Sequence, residues 1–358
     1  MYSGLSIRSF RGIKSLELSG LRRVNLLVGK NNVGKSTILE AVFLLCGINR
    51  PDTLDLLGNA RGQLTQPGDE VWRAFFARMS PENPVEIKGE FNKTHRRLTI
   101  EGLPPDGLSI AAPTSRAGAP EPITKLPGDF SIGRLDITQR ADDGREDKMT
   151  IKRDLSNNLI NTVMAPTNPR VTIVPSALIP SAALLIGPEL VRQFSALSEG
   201  KGQDDLIRSL KFVDPRICRV EVLSKGVLPT LHLDIGLDRL LPLAVTGAGT
   251  VRMFTIATNL AVCRDGVLLI DEIDDGLHHS VMPQLWEFLA EQCERFNVQV
   301  FATTHNDEMI RSALECLDDE SRRPGLFRID ESKGGHGVVS YPYEAIKSVL
   351  ESNFEVRS

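Results

Sequence analysis

The chain has no excess of positive charge. It carries 42 Lys and Arg against 46 Asp and Glu in 358 residues, a net charge of −4 at pH 7. A global basic field for nucleic acid is therefore excluded, which leaves only a local patch or a partner to make that contact. Cysteine is sparse and unpatterned. Cys46, Cys218, Cys263, Cys293 and Cys316 form no C-x-x-C pair, which argues against zinc or a disulfide frame and for free thiols in a reducing compartment. No apolar run approaches the ~20 residues of a membrane span. The opening Met1-Tyr2-Ser3-Gly4 lacks the basic-then-apolar order of a signal peptide, so the expectation is a cytoplasmic protein without membrane contact. Internal repeats and long heptad runs are missing too, and no coiled-coil arm is expected. What is present is apolar bulk: 41% of residues are hydrophobic, enough for one large or two ordinary domains with a sizeable core.

The most specific stretch is Gly29-Lys30-Asn31-Asn32-Val33-Gly34-Lys35-Ser36-Thr37, a G-x-x-x-x-G-K-S-T phosphate-binding loop. The apolar run Val24 to Val28 before it reads as a buried strand, and Ile38 to Leu45 after it has helical composition. The glycines let the backbone turn and aim N–H groups at phosphate oxygens, at the positive end of the helix. Lys35 is expected to reach the β- and γ-phosphates of ATP, Ser36 to ligate Mg²⁺, and Thr37 to sit beside the α-phosphate.

A second strong signal is Val267-Leu268-Leu269-Ile270-Asp271-Glu272, an apolar strand ending in two carboxylates. In a parallel α/β sheet that end opens onto the ligand crevice. Asp271 then holds Mg²⁺ opposite Ser36, and Glu272 serves as general base toward the attacking water. A third run, Val298 to Thr304, ends in His305, placed to touch the γ-phosphate or the water. Gly247-Ala248-Gly249 precedes a helix expected over 253–263 and is a weaker phosphate cradle. His278 and His279, neighbours in sequence, are expected to point apart and to be structural rather than a metal pair.

The remaining chain reads as α+β. Residues 5–10 and 16–18 form an N-terminal hairpin, in whose turn Arg11 either reaches the adenine or ribose or is simply solvated. Residues 69–79 pattern as an amphipathic helix, 85–91 and 97–100 as strands, and 102–128 as a Pro- and Gly-rich loop. Asp142-Asp143-Gly144 marks a tight hairpin turn. Helices are expected near 188–197, 204–211 and 282–296, and strands at 219–223, 231–235 and 337–341, with a closing helix at 343–351. His232 alternates outward and reads as a surface residue.

This order of motifs resembles the ABC-type ATPases of the OLD and RecF/SMC kind, closest to the stand-alone OLD-like ATPases of prokaryotic genomes. Ile7-Arg8-Ser9-Phe10-Arg11-Gly12-Ile13, the phosphate loop, Leu269 to His278, Phe301-Ala302-Thr303-Thr304-His305 and the ending Phe354-Glu355-Val356-Arg357 carry the resemblance. It implies an α/β P-loop NTPase fold of ABC type with an N-terminal β-hairpin layer and an inserted α+β arm. Residues 1–60 would be the N-terminal lobe, 61–240 the arm, and 241–358 the lobe with signature loop, Walker B, D-loop and His switch. Gly247 and Gly249 would belong to the signature loop, which reads the γ-phosphate of ATP across a homodimer. The group usually has a Ser or an acid near there; this chain has Ala244 and Ala248, leaving backbone N–H groups and Thr246. The glutamine that contacts Mg²⁺ in the group has three candidates, Gln63, Gln66 and Gln139.

The resemblance also implies a separate effector protein that acts on nucleic acid, in genome maintenance or defence against phage. Longer OLD-like proteins carry a Toprim nuclease built on a glutamate and a D-x-D pair. Here no two aspartates are separated by one residue, and the residues after His305 fall short of the ~100 of a typical domain. No nuclease activity is expected of this chain; Asp136, Asp142, Asp143, Glu146 and Asp147 read as a solvated hairpin. A slow or non-hydrolysing ATP sensor is the alternative. A small-molecule kinase is disfavoured because the Asp-Glu and His strands serve water attack.

Overall fold

Predominantly apolar runs of strand length are buried on both faces in parallel sheets. Three such runs become β3 (Val24–Val28), β13 (Val267–Ile270) and β14 (Gln299–Thr303), and every residue in them is buried. With β9 (Ser176–Ile179), β15 (Gly325–Ser332) and β16 (Gly335–Tyr341) they form a six-stranded sheet ordered β16-β15-β3-β14-β13-β9. Pairing is parallel from β15 to β9, and β16 is antiparallel at the edge. The computed structural model describes residues 1–49, 70–104, 131–153, 160–165, 170–181, 186–224, 228–332 and 335–343.

A second sheet is antiparallel. It contains β1 (Tyr2–Phe10), β2 (Ile13–Ser19), β4 (Val85–Phe91), β5 (Thr94–Leu103), β6 (Arg134–Ala141), β7 (Glu146–Arg153) and β8 (Ile160–Ala165). Their order is β2-β1-β4-β5-β6-β7-β8, so the strands of the middle region extend the N-terminal hairpin. The stretch expected as one inserted arm is thus shared out. Strands β4 to β7 belong to this sheet, while Ser176–Ile179 pairs with β13 in the other. The Asp142-Asp143-Gly144 turn joins β6 to β7 with Gly144 at φ +83°.

Helix α1 (Lys35–Cys46) lies between the two sheets, and all of its residues except Ser36 are buried. A helix that is apolar all round has to be covered on every side. Leu27, Leu269, Phe301 and Phe327 point to this side of the parallel sheet, into a core shared with β1, β2 and β4 to β7. Their neighbours Leu26, Leu268, Val300, Ala302 and Leu326 point to the other side. There they meet α3 (Pro188–Glu199), α4 (Gln203–Lys211), α5 (Ala248–Val262), α6 (Met282–Phe296) and α7 (Asp307–Cys316). A small sheet of β10 (Arg219–Leu223), β11 (Thr230–Asp234) and β12 (Leu241–Pro242) adjoins this layer. Among the described residues no helix exceeds 15 residues, and none is long and apolar enough to cross a membrane.

Three expectations change. The helix over 69–79 reduces to one turn, α2 (Glu70–Arg73), followed by a 3-10 turn in which Arg78 and Met79 have positive φ. Phe76 instead bridges to Phe10, and the Phe75 carbonyl accepts the Arg11 N–H at 2.9 Å, so strand-like pairing with the N-terminal hairpin wins over local helix. Helix α5 starts at Ala248 rather than at 253, because Gly247 itself is its N-cap. His232 is buried at 7% exposure, between the buried Leu231 and Leu233, so both faces of β11 are covered where alternation suggested one open face. The loop over 102–128 falls largely, and the helix after Tyr343 wholly, outside the described residues.

Trp286 on α6 is fully buried and its Nε1 donates to the Met309 carbonyl at 3.1 Å, tying α6 to α7. Trp286→Ala is expected to cost about 3–5 kcal/mol, a fall in melting temperature on the order of 10 °C. Thermal unfolding followed by circular dichroism checks this; a shift within a degree or two would mean that the α6–α7 layer contributes little.

Candidate functional site

The phosphate loop leaves β3 at Gly29 and enters α1 at Gly34. Gly29 has φ +138°, and a Cβ there would stand 2.5 Å from the Ile329 carbonyl oxygen of β15, so only glycine fits. Gly34 caps α1 at φ +90°, and Asn32 has φ +66°. The Lys35 ammonium folds over the loop and donates to the carbonyls of Gly29 and Lys30, each at 2.8 Å. Burial pushes its pKa down, while Asp271 and Glu272 oppose that shift. The loop residues Asn31, Asn32, Gly34, Lys35, Ser36 and Thr37 open on a cleft of about 540 Å³; Lys30 and Val33 complete the turn.

Asp271 and Glu272 follow β13 and face the same cleft. Because β14 lies between β3 and β13, its last residue separates the two motifs and also joins them. The Ser36 hydroxyl donates to Asp271 Oδ2 at 2.8 Å, and the Thr303 hydroxyl donates to Asp271 Oδ1 at 2.6 Å. Thr303 Oγ1 in turn accepts the Glu272 N–H at 2.8 Å. Glu272 has φ +48°, a left-handed conformation that a non-glycine residue holds only where its surroundings over-determine it. His305 Nδ1 lies 4.0 Å from Glu272 Oε1, with both side chains near half-exposed. Thr304 donates to Asp274 Oδ1 at 2.7 Å, and Asn306 caps α7 through the Glu308 N–H at 2.9 Å. The sites expected for phosphate, metal, base and histidine are thus brought to one end of one sheet. The donor set of a hydroxyl and a carboxylate beside a phosphate cradle suits Mg²⁺, a hard cation usually held through one or two carboxylates plus phosphate oxygens.

Gly247 and Gly249 differ in their surroundings. A Cβ on Gly247 would meet nothing within 4 Å, whereas one on Gly249 would stand 2.8 Å from the Gly276 carbonyl oxygen. Gly276, at φ +73°, packs on Ala248 in return. The start of α5 therefore rests on the Asp274-Asp275-Gly276 turn of its own chain. Thr246 donates its hydroxyl proton to the Leu243 carbonyl at 2.7 Å, so the donors this loop presents are backbone N–H groups at a helix N-terminus.

Other expectations need correction. Arg11 lines the cleft, but its guanidinium pairs with Glu40 of α1, Nε to Oε2 at 2.6 Å, and lies over the Phe10 and Phe75 rings. A solvated side chain does not describe it; in this structure it braces the phosphate-loop helix. Gln139 is buried, accepts the Ile48 N–H and donates to the Leu45 carbonyl, so it closes the far end of α1 and does not face the cleft. Gln63 and Gln66 lie outside the described residues. The His278 and His279 rings do not point apart: their centroids are 3.9 Å from each other, because His278 is an extended N-cap rather than a residue inside a helix. Arg78, Glu331 and His336 also line the cleft, and no motif in the sequence marked them. Arg78 comes from the misread 69–79 stretch, and the other two from a C-terminal hairpin that only the strand order brings to the loop.

The two-sheet architecture with its phosphate loop, acidic strand and histidine strand is a P-loop ATPase fold of the kind seen in SMC heads. It is similar to an SMC head bound to the C-terminal winged-helix domain of ScpA, with TM-score 0.51 and 13% identity over 97% of this chain and 99% of that one. It is equally similar to an SMC head domain with an extended coiled coil bound to the C-terminal domain of ScpA from Pyrococcus furiosus, with TM-score 0.52 and 11% identity over 98% and 99%. Among curated proteins it is 22% identical to a Helicobacter pylori ATP/GTP phosphatase over 354 residues, 90% of this chain and 89% of that protein. Residues 130–311, half of the chain, match the family described as "AAA domain, putative AbiEii toxin, Type IV TA system", and the chain belongs to that family. The match spans the start of α5, Asp271, Glu272 and His305; the phosphate loop lies before it.

The two signature glycines should separate in a stability measurement. Gly249→Ala is expected to destabilise the chain by about 1–3 kcal/mol through overpacking against Gly276. Gly247→Ser, which places a good N-cap in open space, is expected to leave stability unchanged or slightly raised. Denaturant unfolding of both variants checks this; equal losses would show that the α5 start does not rest on the Gly276 turn.

Proposed function

We propose that the chain is a Mg²⁺-dependent ATPase that binds ATP between two copies of itself and uses closure and opening of that homodimer to control a separate effector acting on nucleic acid. The observation that carries the reading is the hydrogen-bonded series Ser36–Asp271–Thr303–Glu272 on one cleft with Lys35, which supports a metal-binding role for Ser36 and Asp271 and a general-base role for Glu272. Ser36 and Asp271 would hold Mg²⁺, whose charge offsets that of the phosphates. The N–H groups of the 29–37 loop cradle the β- and γ-phosphates and Lys35 exchanges its two carbonyl partners for phosphate oxygens. Glu272 takes a proton from water attacking the γ-phosphorus as the bond to the β,γ-bridging oxygen breaks and ADP leaves, and His305, beside it, orients that water or the phosphate. Backbone N–H groups at Gly247 and Gly249 supply the contact from the second copy. The relatives support this at a coarser level, through a phosphatase of ATP and GTP and through heads that bind a partner protein. The family description names a "putative" toxin of a toxin–antitoxin system, which fits a place in a defence system; a Toprim-like nuclease is the candidate effector.

A second reading, a slow or non-hydrolysing ATP sensor, is favoured by one feature. The signature segment presents Ala248 and a Thr246 hydroxyl whose proton is already donated to Leu243, so the contact across the dimer lacks a side-chain donor.

Lys35→Ala is expected to abolish nucleotide binding. Glu272→Gln is expected to keep binding, to lower turnover by ~10²–10⁴, and to accumulate an ATP-held dimer. Nucleotide titration, single-turnover phosphate release and light scattering with Mg-ATP check these together. Wild-type turnover in Glu272→Gln would remove the general base. A mass indifferent to nucleotide would remove the dimer. A wild type that dimerises on ATP without releasing phosphate would leave the sensor.

A further inference from the structure

Helix α5 reaches the hydrolytic centre by a route that no motif describes. Arg252, one turn past Gly249, is 7% exposed. Its Nη2 donates to the backbone carbonyls of Asp271 at 2.5 Å and Glu272 at 2.8 Å, and its Nη1 to that of Pro180 at 3.1 Å. Every backbone N–H and C=O of Asp271 and Glu272 has a partner. The Asp271 N–H donates to Ile179, the Glu272 N–H to Thr303 Oγ1 and the Ile273 N–H to the Thr303 carbonyl. The Glu272 carbonyl also accepts the Asp275 N–H. Arg252 supplies the bond to the Asp271 carbonyl and a second one to the Glu272 carbonyl. Those two carbonyls flank the left-handed turn at Glu272, whose φ of +48° costs about 1–3 kcal/mol if unsupported. A planar guanidinium can bond three carbonyls from a fixed fork; an ammonium cannot match that geometry. Burial pushes the Arg252 pKa down, and the surrounding Asp275, Asp271, Asp274 and Glu272 oppose that shift.

The same helix touches the same segment at a second point, where Gly249 and Ala248 pack against Gly276. A displacement of the α5 N-terminus is therefore passed to the Asp271–Gly276 segment at both ends.

We propose that Arg252 is a positioning residue for hydrolysis, and that through it the α5 N-terminus, on engaging a phosphate of the second copy's ATP, sets Glu272 of its own subunit. This rests on the ATP-sandwich reading above, and goes beyond it in making each site's base dependent on the neighbouring site's nucleotide. The two ATP sites then hydrolyse cooperatively.

The test uses the full chain as wild type, Arg252→Met, Arg252→Lys and the double variant Arg252→Met/Glu272→Gln. A fluorescent ATP analogue reports binding, phosphate release reports kcat, KM and the Hill coefficient, and thermal unfolding reports the fold. A misplacement of about 1 Å typically costs ~10²-fold in rate. Arg252→Met is expected to lose on the order of that in kcat with nucleotide affinity unchanged, and to lose the Hill coefficient above one. Arg252→Lys is expected to recover part of kcat. In the double variant the loss should not exceed that of Glu272→Gln alone, since both act on one group. Unchanged kcat in Arg252→Met, a loss that tracks affinity, or additive losses in the double variant would overturn the proposal. If Arg252→Met fails to fold, Arg252→Lys decides: lowered kcat with unchanged affinity and melting temperature supports the role, and wild-type kcat contradicts it. A wild type that binds ATP without turnover overturns the hydrolytic reading itself and the role of Arg252 with it; turnover in the wild type with an indifferent Arg252→Met overturns the role of Arg252 alone.

Discussion

The site depends on the position of one strand. β14 lies between the phosphate-loop strand β3 and the acidic strand β13, and Thr303 at its end has one hydroxyl for two tasks. It donates to Asp271 and accepts from the Glu272 backbone, which sends the Asp271 carboxylate toward Ser36 and turns the next residue into a left-handed conformation. Asp271 and Glu272 are adjacent in sequence and would otherwise diverge as an extended strand continued. The positive φ keeps both on the cleft, and the hydrogen bonds to Thr303 and Arg252 hold that conformation. A Val at position 303 would keep the shape and lose both bonds.

The two cores serve this arrangement differently. On one side α1 is enclosed between sheets, so the phosphate loop is anchored by a helix that has almost no exposed surface. The Arg11–Glu40 pair at its start and Gln139 at its end tie it to the antiparallel sheet. A buried pair of this kind is a constraint on position more than a source of stability. On the other side α5, α6 and α7 cover the parallel sheet, and the start of α5 carries the open Gly247 beside the packed Gly249. One side fixes the phosphate loop rigidly. The other joins the start of α5 to the backbone of Asp271 and Glu272.

Much of this was legible from residue order. The phosphate loop, the Asp271-Glu272 strand and the His305 strand are each local: a few residues fix their chemistry, and an apolar run fixes their place in a buried sheet. The resemblance to SMC-like heads rested on those blocks, and the fold agrees with it. What could not be read was set by contacts distant in sequence. Residues 69–79 have helical periodicity, yet Phe75 and Phe76 pair with the N-terminal hairpin. His232 alternates as a surface residue, yet both faces of its strand are buried. Arg11 resembled a nucleotide contact, and only the packing of β1 on α1 reveals Glu40 as its partner. Arg252 sits in an apolar helix with no signal of its own; its meaning comes from the carbonyls of a segment some twenty residues later.

The central claim is that Lys35, Ser36 and Asp271 exchange their present hydrogen bonds for a nucleotide and its cation. The most direct measurement is an experimental structure of the full chain with Mg²⁺ and a non-hydrolysable ATP analogue. The account predicts that Lys35 Nζ leaves the carbonyls of Gly29 and Lys30 for phosphate oxygens, that a cation separates Ser36 from Asp271, and that Glu272 keeps its left-handed backbone with Thr303 and Arg252 still bound to it. Nucleotide bound elsewhere, or bound with the Ser36–Asp271 hydrogen bond intact and no cation between them, would contradict it.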